Sequence, residues 1–273
     1  MMRITPVVKQ LIIINAIFFI GSQILHNGLA YELFSLHYPE SDKFRVWQPI
    51  THMFMHAPLP NFTHILFNMY GLYVFGSPLE HFWGPKRFLL FYFLSGIGAA
   101  ALQIGINYYQ IHEALNLVSN MNLSSADLHQ ILNIEMIHDN YFSPELFENG
   151  IRPILQKSNK EMLLNKESFN TLFQTAIQVN STMVGASGAI YGLLTAFAFM
   201  LPNAELMLFL IPFPIKAKYF VPALVAMDFF SGVTGFSIFG GGVAHFAHVG
   251  GALTGFVLMI IWRNRKFKHN RWN

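Results

Sequence analysis

Val184-Gly185-Ala186-Ser187-Gly188-Ala189-Ile190-Tyr191-Gly192-Leu193-Leu194-Thr195-Ala196-Phe197-Ala198-Phe199-Met200-Leu201 has nearly the length a helix needs to cross a bilayer, about 20 residues, and is apolar over most of it. It nevertheless opens on a serine between glycines. Five further apolar stretches flank it, at 7–25, 62–82, 88–108, 219–236 and 246–262. Composition points the same way. Of 273 residues, 53% are hydrophobic and 11% charged, against about 25% charged in ordinary soluble domains. Phe alone occurs 28 times, more aromatic surface than a soluble core needs. The expected fold is an all-α membrane protein, a bundle of six transmembrane helices. The first stretch has no small-residue cleavage site after it and reads as a retained helix. The stretch 206–215 is apolar but cut by Pro212 and Pro214, so it reads as an interfacial loop.

The chain has no cysteine, which excludes disulfides, thiolate nucleophiles and Cys-bound metals. Its net charge of +3 gathers in the tail, at Arg263, Arg265, Lys266, Lys268 and Arg271. That is a membrane-flanking basic segment, so no nucleic-acid partner is expected. Lys86 and Arg87, Lys216 and Lys218, and the tail follow the second, fourth and sixth stretches. Basic residues in short loops mark the cytoplasmic side, so both termini are expected inside. Between the third and fourth stretches the composition changes. Glu113, Asp127, Glu135, Asp139, Glu145, Glu148, Glu161 and Glu167 are more than half of the 14 acids. Ser143-Pro144-Glu145 reads as a helix start and Asn149-Gly150 as its stop. The expected organisation is helices one to three over 1–109, an extracytoplasmic helical insertion over 110–180, and helices four to six with the basic tail over 181–273.

Polar residues inside such stretches are costly in lipid, so each is a functional candidate. His64 and Asn68 lie four apart at the start of the second, on one helix face. Ser187 and Tyr191 lie one turn apart at the start of the fourth. His245 and His248 open the sixth. All three sets sit at N-terminal ends of even-numbered helices, hence on one side of the membrane, the outer one by the charge argument. A serine hydroxyl with a histidine base is a nucleophile, and Asn68, His64 and the Ser187 N–H can supply oxyanion donors. Glycines around Ser187, among them Gly185 and Gly188, let backbones come close. Gly251 and Gly255 lie on the His248 face and are expected to pack on Gly188 and Gly192.

Together these residues resemble the rhomboid family of intramembrane serine proteases, most clearly over 47–86 and 184–262. The family's Gly-x-Ser motif matches Gly185-Ala186-Ser187 and implies Ser187 as nucleophile. Its Ala-His-x-x-Gly motif matches Ala247-His248-Val249-Gly250-Gly251 and implies His248 as base. Tyr191 matches a tyrosine whose ring supports that histidine in place of a triad carboxylate. His-x-x-x-Asn matches His64 and Asn68, implied oxyanion donors, and His56 matches a further upstream histidine. A Trp-Arg pair common in the first outer loop stands here as Trp47-Gln48, which puts that loop's usual hydrogen bonds in question. The resemblance implies a Ser-His dyad cutting transmembrane segments of membrane-protein substrates, with the lipid bilayer as the other partner. It implies no cofactor, no metal, a bacterial inner (plasma) membrane location and an active site opening to the extracytoplasmic side.

Plainer roles stand beside these. A serine flanked by glycine in a membrane helix is ordinarily a packing residue, and His245 reads as packing or support for the site. His52-x-x-x-His56 and His245-x-x-His248 also suggest a histidine-rich membrane metalloenzyme, although such sites use more histidines and face the cytoplasm. The spacing Phe169, Leu172, Phe173, Ala176, Ile177 predicts a helix that can lie in the membrane interface.

Overall fold

The computed structural model describes residues 3–25, 28–138, 141–206, 213–236 and 242–266. They form helices α1 (Pro6–Ile24), α2 (Leu29–Phe34), α3 (Gln48–Thr51), α4 (Phe62–Gly71), α5 (Ser77–Trp83), α6 (Pro85–Leu117), α7 (Ser125–Leu132), α8 (Pro144–Lys157), α9 (Lys166–Asn180), α10 (Ser187–Met200), α11 (Ala217–Thr234) and α12 (His245–Lys266). A π-helical turn, Leu72–Gly76, joins α4 to α5, so 62–83 is one continuous helical segment. Among the described residues, three helices are long and apolar enough to cross a membrane: α1, α6 and the part of α12 at His245–Trp262. Helix α10 is apolar but shorter. The stretch read as an interfacial loop begins and ends in a two-stranded antiparallel ribbon that pairs Glu205 with Lys216 and Leu206 with Ile215. Residues 207–212 between those strands lie outside the described residues, as does the tail from 267 onward.

Two compact units divide the chain. The first takes residues 1–35, 47–103 and 183–273. Its core is aliphatic and aromatic, with Val8, Leu72, Leu79, Phe88, Phe91, Tyr92 and Leu193 fully buried. Large apolar side chains remain outside it, including Ile13, Ile17, Ile20 and Ile24 on α1 and Leu253, Phe256, Val257 and Ile260 on α12. Contiguous apolar surface of this kind suits lipid, where it has no water to order.

The N-terminus of α1 shows how one buried acid fits such a bundle. Pro6 has no N–H to satisfy. The Val7 and Val8 N–H groups donate to Glu80 at 3.0 and 2.9 Å, and Lys9 N–H donates to Thr5 O at 2.9 Å. The Thr5 hydroxyl also donates to Glu80, at 2.5 Å. A carboxylate from α5 thus satisfies the orphan donors of α1, where the helix dipole favours negative charge.

The second unit takes residues 36–46 and 104–182. It starts inside α6, which runs unbroken to Leu117, and it recruits the segment between α2 and α3. In that segment Asp42 N–H donates to Asn133 Oδ1 at 2.9 Å, and Lys43 pairs with Glu135 at 2.8 Å. The unit has its own core of Ile111, Ile131, Phe147, Ile151, Leu155, Leu172 and Ala176. Two sequence expectations change here. Ser143 does cap α8, accepting from Leu146 N–H, but Asn149-Gly150 does not end it. The helix continues to Lys157 because Phe147, Ile151 and Leu155, one turn apart, are all fully buried. Gly150 is there for closeness: a Cβ would stand 2.6 Å from Ile134 Cγ2. Likewise, the apolar face of α9 is not left for a membrane interface. Leu172, Phe173, Ala176 and Val179 are buried in this unit's own core.

Candidate active site

Three helix N-termini in the first unit carry the site. Ser187 is the first residue of α10, His248 lies in the first turn of α12, and His64 in the first turn of α4. Gly185, at φ +120°, turns the chain into α10, a conformation that suits glycine. Its N–H donates to His52 O at 2.9 Å, which ties the serine's approach to the 48–54 segment. A Cβ on Gly185 would stand 3.0 Å from His64 Cε1, so its absence lets that ring come close.

Glycine also sets the distance between α10 and α12. A Cβ on Gly251 would stand 1.8 Å from Gly188 O, and one on Gly255 would stand 2.7 Å from Gly192 Cα. With those backbones in contact, the Ser187 hydroxyl donates to His248 Nε2 at 2.9 Å. The Tyr191 ring stacks on the His248 imidazole, centroids 4.2 Å apart and planes 12° apart.

Behind His248 stands a residue that the sequence reading passed over. Asp228, on α11, is 5% exposed. Its Oδ1 accepts from His248 Nδ1 at 3.1 Å and from His245 Nδ1 at 2.6 Å, and its Oδ2 accepts from the Tyr191 hydroxyl. The expectation that a tyrosine ring stands in place of a carboxylate is therefore corrected: both are present. A signal existed, since Asp228 is the one acid within the apolar stretch 219–236. Its partners, however, lie 17, 20 and 37 residues away, beyond any helical spacing.

His64 and Asn68 occupy the other side. Ala57 N–H donates to His64 Nδ1 at 3.0 Å, so Nδ1 is the acceptor and Nε2 carries the proton. Asn68 Nδ2 donates to His64 O at 2.7 Å. His56 sits one layer further back, its ring 5.3 Å from that of His64, with Nε2 donating to Asn15 Oδ1 at 2.9 Å. Asn15, fully buried on α1, is a second polar residue the sequence reading missed. Burial lowers the His52 pKa to about 4 and that of His56 to about 3, so both are neutral supports. At the Trp47-Gln48 departure both side chains are hydrogen-bonded: Trp47 Nε1 donates to Leu33 O at 2.9 Å and Gln48 Nε2 to Glu32 O at 3.1 Å.

Among the described residues, Asp228, His245 and His248 bring ligand-type atoms within 4.8 Å of one another. Two ligands on a tetrahedral zinc, each at about 2.0–2.1 Å, stand about 3.3 Å apart. The 2.6 Å between His245 and Asp228 is instead a hydrogen-bond length. His52 donates to Gln48 O and His56 to Asn15, so that histidine pair converges on no common point. The geometry favours proton transfer over metal ligation.

Comparison with known proteins places the chain in a family. Over 51 residues the chain is 45% identical to a protein of Bacillus subtilis (strain 168) named "Putative rhomboid protease YdcA". That stretch covers 19% of this chain and 24% of the relative. A family model described as "Rhomboid domain" matches residues 43–113 and 163–265 and passes over 114–162. Its matched segments contain all of α4 and α10, most of α12 and every side chain gathered around Ser187 except Asn15, and on that breadth the chain belongs to the rhomboid family.

Proposed function

We propose that this integral membrane protein is an intramembrane serine endopeptidase that cuts transmembrane segments of other membrane proteins. The observation that carries the reading is the 2.9 Å hydrogen bond from Ser187 Oγ to His248 Nε2. The family supports protease chemistry over a metalloenzyme. Six membrane crossings, cytoplasmic termini, a bacterial inner membrane and an extracytoplasmic opening belong to the same proposal; the basic residues after the second, fourth and sixth apolar stretches support its orientation.

A substrate segment leaves lipid and presents a partly unwound peptide bond at the helix ends. Ser187 Oγ attacks the carbonyl carbon as its proton passes to His248 Nε2. The carbonyl electron pair moves onto oxygen, facing three donors. His64 offers Nε2–H, the tautomer that Ala57 selects. Asn68 offers its second amide hydrogen. Ser187 offers its own N–H, one of those a helix start leaves without an intrahelical acceptor. The tetrahedral centre then collapses, the C–N bond breaks, and His248 returns the proton to the leaving amine. Water hydrolyses the acyl-enzyme by the same route.

Ser187→Ala and His248→Ala should each abolish cleavage of a model transmembrane substrate, with the double variant no worse, because the two groups act as one unit. Near-normal turnover in either folded single variant would sink the reading.

A further inference from the structure

We propose that Asp228 makes the site a triad: it is a positioning carboxylate that selects the tautomer of His248 and stabilises the imidazolium formed during attack. The proposal rests on the reading of Ser187 and His248 as nucleophile and base.

A carboxylate can only accept. The bond from His248 Nδ1 to Asp228 Oδ1, 3.1 Å long, therefore puts the imidazole proton on Nδ1. Nε2 is left bare, and Nε2 is the atom that faces Ser187 Oγ at 2.9 Å. With the opposite tautomer, Nε2–H would point at the serine and no base would be present. When Nε2 takes the serine proton, the ring becomes cationic while its Nδ1–H still points at the carboxylate. Asp228 takes no proton in this scheme, and the leaving amine later recovers the one held on Nε2.

The carboxylate is itself held. His245 Nδ1 donates to Oδ1 at 2.6 Å and the Tyr191 hydroxyl donates to Oδ2, so α10 and α12 both grip a side chain from α11. Such partners are what a buried acid in an apolar helix requires, since without them its charge would go uncompensated. They also give Tyr191 a second task. Its ring stacks on His248 while its hydroxyl orients the group behind that histidine. The groups facing His248 are thus Asp228 from α11, Ser187 and Tyr191 from α10, His245 from its own helix and His64 from α4.

The test uses full-length protein in proteoliposomes, with Asp228→Asn and Asp228→Ala beside wild type. An amide at 228 can donate to Nδ1 and so select the wrong tautomer. Asp228→Asn should lower kcat by on the order of a hundred- to ten-thousand-fold with KM little changed. In Asp228→Ala, added formate should restore part of the rate, which a purely structural role would not allow. Folded Asp228→Asn with kcat within threefold of wild type would overturn the proposal. So would Asp228→Ala that is slow and does not respond to formate. Labelling by a fluorophosphonate serine probe separates the two readings. If Ser187 fails to label in wild type, the protease reading fails. If wild type labels and Asp228→Asn labels as fast, only the triad fails.

Discussion

Asn68 donates one amide hydrogen to His64 O at 2.7 Å, and in the proposed mechanism the second goes to the developing oxyanion. Asn68→Ala should therefore slow turnover by about 100- to 1,000-fold, the usual effect of one lost donor, while substrate binding barely changes. A binding defect with intact turnover would make Asn68 a packing residue. His52 and His56 carry a different prediction. Their folded values of about 4 and about 3 lie below the unfolded histidine value of about 6.5. As pH falls through that unfolded value, the unfolded chain takes up protons that the folded chain refuses, so stability is full above about pH 6.5 and is lost on acidification. Thermal unfolding in detergent should show the midpoint dropping between about pH 7 and about pH 4. His56→Gln, which keeps a donor for Asn15, should soften the drop. A midpoint independent of pH would refute this. At this scale the sequence was readable where polar residues share one helix face, as His64 with Asn68 or Ser187 with Tyr191. Asp228 and Asn15 were not, because each matters through residues on other helices.

The contact between α10 and α12 controls the Ser187–His248 distance. Gly251→Ala would drive a methyl group into Gly188 O, a backbone atom that cannot swing aside. The helices must separate, so activity should fall at least tenfold, and probe labelling should fall with it. Gly21→Ala on α1 is the control, since nothing lies within 4 Å of a Cβ there, and it should be silent. Equal activity in both variants would mean that the helix spacing does not set the dyad. The Gly251–Gly188 packing was legible because small residues recur at helical spacing on both stretches. Helix lengths were less so. Asn149-Gly150 has the local chemistry of a stop, yet burying Phe147, Ile151 and Leu155 outweighs a glycine's cost of about 1 kcal/mol.

At the scale of the whole molecule, the second unit carries a prediction of its own. The family match passes over 114–162, yet that region helps build a hydrophobic core of its own. We propose that it selects substrates by their extramembrane parts. Replacing residues 111–168 with a Gly/Ser linker should change the preference between a substrate with its extracytoplasmic domain and one reduced to its transmembrane segment. Ser187 should still react with the serine probe. Unchanged relative rates would remove that role. The insertion's existence was visible in its acids, but its recruitment of 36–46 was not, since those residues lie far away in sequence. A last consequence concerns biosynthesis. Synthesis proceeds from the N-terminus, so α1 leaves the ribosome well before Glu80, whose carboxylate accepts from Val7 and Val8. Until α5 arrives, the leading amides of the first helix lack this carboxylate and must find other acceptors, water among them. Its final seating therefore follows the synthesis of α5, some fifty residues downstream.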